Sequence, residues 1–181
     1  MSVLRTWIRR PITWIAVGVV VVAAGAVGLA LFQPWKLVVD DTVDEAAPAV
    51  ADVAPSSSAS PTAASRVLAT GEFITHEHET TGKVVVFQLP DGKRVLRLEN
   101  LNTSNGPDLH VWITDAPVKP GASGWRVFDD GQYTALGKLK GNKGSQNYTL
   151  PASVDLNQLR SVTIWCDRFN VSFGAAELTL A

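Results

Sequence analysis

Two patterns of apolar and polar positions divide the chain. From Ile12 to Phe32, ITWIAVGVVVVAAGAVGLALF, apolar residues run on without a charged interruption. At about 1.5 Å per residue, a helix of this length covers about 30 Å, the thickness of a bilayer's hydrocarbon core. Trp14 and Trp35 stand near its two ends, where amphipathic rings settle at the headgroup level. Further along, the period changes to two. KVVVFQL (83–89), RVLRLENL (94–101) and LHVWI (109–113) read as strands, with Leu109, Val111 and Ile113 on one face and His110 and Trp112 on the other. Further strands are expected at 148–150, 162–166, 169–173 and 176–180.

Helical signal is poor in this outer part. VDLNQLR offers one or two turns at most, with Asp155 capping its start. Short strands punctuated by Gly, Pro and Asn predict a mainly β domain, an antiparallel β-sandwich or a small β-barrel-like fold, preceded by one N-terminal transmembrane helix. The long loop 115–131 would cover an open end of either. Between helix and domain, AAPAVADVAPSSSASPTAAS supplies almost nothing for a core and reads as a tether. The expected division is a short basic cytoplasmic segment at 1–11, a transmembrane anchor at 12–32, a flexible Ala/Ser/Pro-rich tether at 33–65 and an extracytoplasmic β domain at 66–181.

Charge sets the orientation. Arg5, Arg9 and Arg10 precede the apolar run, while Asp40, Asp41, Asp44 and Glu45 follow it. The basic flank is expected to stay cytoplasmic, which sends the C-terminal domain across the bilayer. A cleaved signal peptide is the alternative, but the run exceeds a typical signal core of about 7–15 residues and no small-x-small site follows. The lipid bilayer is therefore the expected partner of residues 12–32. From residue 66 onward, twelve Lys and Arg balance twelve Asp and Glu. That neutrality disfavours nucleic acid, which calls for a concentrated basic face. GKLKGNKG (137–144) lacks the GxxxxGK[ST] order of a phosphate-binding loop and reads as a flexible basic turn.

Three histidines and one cysteine are the only soft ligands. In THEHE, His76 and His78 share a face if the segment is extended and could clamp one metal ion. His110, Asp108, Cys166 or an acid would have to complete the site. Histidine with cysteine suits copper, and other metal ions fit as well; otherwise HEHE is a solvated edge and no cofactor is implied. Cys166 falls on the strand face of Val162 and Ile164, where it acts as a small buried hydrophobe. It also closes that strand next to Asp167-Arg168, where a thiol can meet a loop. With no CxxC partner, a self-contained dithiol cycle is excluded within one chain.

These blocks also resemble a known family. GEF at Gly71, HxHxTxG from His76 to Gly82, RVLRLEN, SNGPDLHVWI, YTALGKLKGNKGSQNYTLP and SVTIWCDRFNVSFGAAEL occur in the order of a DM13 domain, over roughly residues 71–180. The resemblance implies a β-rich extracytoplasmic domain and an electron-transfer or redox module, of a kind found beside DOMON or cytochrome-type domains. The family's characteristic cysteine falls on Cys166. A membrane or extracytoplasmic redox protein is the partner this implies, with Cys166 as the redox thiol. The alternative is a non-enzymatic binding or envelope-assembly domain in which Cys166 is structural.

Overall fold

The computed structural model describes residues 11–49 and 64–181, so the basic segment before Pro11 and positions 50–63 of the expected tether lie outside the described residues. Helix α1 spans Pro11–Phe32, apolar on every side, with no buried residue. An all-round apolar helix suits lipid rather than a packed core, and α1 is long and apolar enough to cross a membrane. Proline at its first position has the φ a helix needs and no N–H to leave unpaired. A short 3-10 turn, Pro34–Val38, follows.

Ten strands build one curled, mixed sheet with a sandwich-like core: β1 (Thr42–Asp44), β2 (Arg66–Thr75), β3 (Thr81–Gln88), β4 (Arg94–Asn102), β5 (Leu109–Thr114), β6 (Tyr133–Lys138), β7 (Lys143–Leu150), β8 (Ser161–Cys166), β9 (Val171–Glu177) and β10 (Thr179–Leu180). Their spatial order is β1-β7-β4-β3-β2-β9-β8-β5-β6, with β10 on β2. Strand β2 turns the corner, pairing with β3 through Arg66–Glu72 and with β9 through Phe73–Thr75. Gly71 stands at this corner, and a Cβ there would lie 2.4 Å from the Glu177 carbonyl oxygen.

Period-two alternation decides which side chains meet in the core. Val84, Val86, Leu96 and Leu98 come from one half of the sheet, and Val111, Ile113, Val162 and Ile164 from the other; all are fully buried. Burying each such side chain stabilises the fold by roughly 1.5–3 kcal/mol. The opposite face of β5, β8 and β9 is not left to solvent. Trp112, Trp165 and Ala175 form a second cluster there with Ala116 and Phe128. Loop 115–131 thus covers a sheet face rather than an open end. The VDLNQLR segment forms only a turn, held by the Asn157 N–H donating to the Asp155 carboxylate and the Leu159 N–H to the Asp155 carbonyl.

The stretch read as a tether differs most from expectation. Residues 42–44 form β1, which pairs parallel with β7 and makes the sheet mixed rather than wholly antiparallel. Gly144 allows this pairing: its φ is +94°, and a Cβ would fall 2.1 Å from the Val43 carbonyl oxygen. Acidic side chains complete the attachment. Glu45 accepts from Lys140 at 2.7 Å, Asp40 pairs with Lys143, and the nearly buried Arg97 donates to the Glu45 carbonyl at 2.8 Å. Lys140 and Lys143 of GKLKGNKG therefore have partners on the segment that follows α1, while Lys138 pairs with Asp108. Only residues 33–41 separate α1 from the sheet, and the Ala/Ser/Pro-rich run falls between two strands, β1 and β2.

Candidate functional site

Cys166, His110 and Asp108 lie at one end of β5 and β8. Register places Leu109 opposite Cys166 and His110 opposite Trp165. Cys166 points into the main core with Val162 and Ile164, has no exposed surface, and is a free thiol. Burial pushes its pKa up, only partly countered by backbone groups of Phe169, Arg168 and Asp108. At neutral pH it is a protonated thiol, which is a poor nucleophile.

Directly above the strand end, two turns are pinned together. The Asp167 N–H donates to the Asp108 carbonyl at 3.0 Å. Asp108 ends the SNGPD turn, which is itself organised by Asn105: its carboxamide oxygen accepts from the Gly106 N–H at 2.9 Å. The same side chain donates to the Val39 carbonyl and to Asp41, tying the turn to the segment between α1 and β1. His110 Nε2 lies 3.1 Å from Asp108 Oδ1 and 3.6 Å from Asp167 Oδ2. Lys138 of the neighbouring β6 reaches the same Asp108 oxygen at 3.1 Å. Burial works to raise the Asp108 carboxyl, but the hydrogen bonds from Lys138 and His110 outweigh it and hold its pKa below the ordinary value.

His76 and His78 do not join this group. His76 is buried, with Nδ1 2.8 Å from Ser172 Oγ and Nε2 3.1 Å from the Lys119 carbonyl oxygen. A carbonyl only accepts, so Nε2 carries the proton and the serine hydroxyl donates to Nδ1. Both ring nitrogens are thus engaged, and the residue fastens loop 115–131 to β9. His78 instead packs against Phe173, with ring centroids 3.9 Å apart and the rings tilted by 36°. Among the described residues, the group of three whose ligand atoms lie within 4.8 Å of one another is Asp108, His110 and Asp167. In the sequence Asp167 stands out only as the neighbour of Cys166; its approach to His110 depends on strand register.

Desolvation lowers the His76 pKa below 6.5, only partly offset by the Lys119 carbonyl. The folded state then binds fewer protons than the unfolded state once pH falls below the unfolded value. Stability from this site is present above about pH 6.5 and is lost as the medium acidifies. Urea titrations between pH 7.5 and 5.5 should show a falling unfolding free energy, with a shallower fall in His76→Gln. An identical slope in the variant would assign the acid sensitivity elsewhere.

An aromatic stack leads outward from the same strands. Trp165 and Trp112 stack at 5.1 Å between centroids, and Trp112 continues onto the half-exposed Tyr133 at 4.1 Å. At the end of α1, the Phe32 ring centroid lies 6.0 Å from that of Phe169 in the turn after Cys166. The profile of the family described as Electron transfer DM13 matches residues 72–178, more than half of the chain. The chain belongs to the DM13 family. Neither a curated protein nor a solved structure matches it. The matched stretch begins within β2, so the DM13 domain covers the corner strand, both sheet halves and the Cys166 strand end, while β1 and α1 lie before it.

Proposed function

We propose that this protein is a membrane-tethered electron-transfer domain held outside the cytoplasm by α1, with Cys166 as its redox thiol. The family match carries the reading. The basic residues before α1 and the acidic ones after it support the orientation. The contact between Phe32 and Phe169 sets the Cys166 strand end beside the helix, which favours a redox partner that is itself in or at the membrane.

Burial constrains how Cys166 acts. As a protonated thiol it gives up one proton with each one-electron oxidation, so exchange is proton-coupled. Contact with a bulky partner requires the 167–170 turn to lift. The second reading, a binding or envelope-assembly domain with a structural cysteine, is favoured by the complete burial of Cys166. Labelling with an aromatic disulfide reagent separates the two. In the redox reading, the folded chain labels about a hundredfold more slowly than the unfolded chain, as a local opening of about 3 kcal/mol dictates, and at a rate insensitive to mild destabilisation elsewhere. Labelling that occurs only with global unfolding supports the structural role.

A further inference from the structure

We propose that Asp108, His110 and Asp167 form a site for one divalent zinc-class cation, Zn²⁺ itself or Co²⁺ in its place. Imidazole with two carboxylates is a borderline N/O donor set suited to such ions. The three ligand atoms already converge within 4.8 Å. A metal would take the place of the proton on His110 Nε2, leaving the neutral ring protonated on Nδ1.

The site is preformed by backbone rather than by chance approach of surface side chains. The Asp167 N–H bond to the Asp108 carbonyl fixes the two carboxylate-bearing turns against each other. His110 is held inside the ladder between Trp165 on β8 and Lys138 on β6. Asp108 and His110 are partly buried, whereas Asp167 is exposed, which leaves an entry path. Lys138 already acts as the counter-cation: its Nζ lies 3.1 Å from Asp108 Oδ1, yet its side chain is 75% exposed and can swing away. Three protein ligands leave a coordination position for water or an outside donor. The proposal does not rest on the redox reading, because His110 and Cys166 occupy opposite faces of the paired strands.

Titration of the full-length chain in detergent micelles with CoCl₂, read by visible absorption and reversed with ZnCl₂, tests the assignment. The expected result is a saturable band at one ion per chain. It weakens at least about tenfold in His110→Ala and in Asp167→Asn, persists in His78→Ala and Cys166→Ser, and tightens by up to about fivefold in Lys138→Met as the competing cation is removed. Asp167→Asn, in an exposed turn, decides the matter if His110→Ala fails to fold. Absence of a saturable band, a band untouched by Asp167→Asn, or one abolished by His78→Ala would overturn the site. Loss of binding in Cys166→Ser would move the ion to the thiol and overturn it equally.

Discussion

Trp165→Ala should lower the unfolding free energy by about 3–5 kcal/mol, a large share of the roughly 5–15 kcal/mol that holds a typical domain folded. Trp165 is the largest fully buried side chain among the described residues. It stacks on Trp112 and meets Phe128 edge-on at 6.4 Å between centroids. Its removal opens a cavity where loop 115–131 closes over β5, β8 and β9, so the loss should also loosen that loop. The indole Nε1 has no hydrogen-bond partner, so the effect is packing rather than a lost polar contact. Trp165→Phe should therefore recover most of the stability. Chemical denaturation of both variants checks this. A small loss in the alanine variant, or equal losses in both, would contradict the packing account.

Much of this interior was legible from alternation alone. LHVWI and VTIWC each turn one apolar set toward the main core, as alternation requires, and place Trp112 and Trp165 on the opposite face, where both are buried as well. Parity also left Cys166 facing inward. What the alternation could not convey was the second cover. Loop 115–131 carries no strand or helix period, so the burial of its Phe128 against the sheet had no local signal.

Strand β1 was missed for a different reason. It has three residues, lies beside a run of acids, and gains its order from Gly144 and from Lys140 and Lys143 far along the chain. In the sequence those lysines read as a flexible basic turn, because their acidic partners lie about a hundred residues away along the chain. The Asp108, His110 and Asp167 group was half visible, since NGPDLH carries two of its members within three residues. The third arrives only through the Leu109 to Cys166 register, and a pairing between distant strands leaves no mark within either segment. HEHE shows the converse. Its spacing suits a shared ligand face only in an extended strand, and the chain bends there, sending His76 to the loop and His78 onto Phe173.

The second large effect concerns Cys166→Ser. Serine is close in size to cysteine, so the fold should survive, although a hydroxyl replaces a weakly polar thiol in the apolar core and costs about 1–3 kcal/mol unless it finds a partner. With Cys166 as the proposed redox thiol, electron exchange should not survive, because no second thiol exists in the chain. A potentiometric titration of the full-length protein in lipid nanodiscs, with soluble one-electron mediators, tests this most directly. The account predicts that the wild-type chain gives up and regains electrons reversibly, with a midpoint that falls as pH rises because a proton leaves with each electron. Cys166→Ser, with an unchanged circular dichroism spectrum, should exchange none. Exchange that persists in Cys166→Ser, or a wild-type chain that exchanges no electrons, would contradict it.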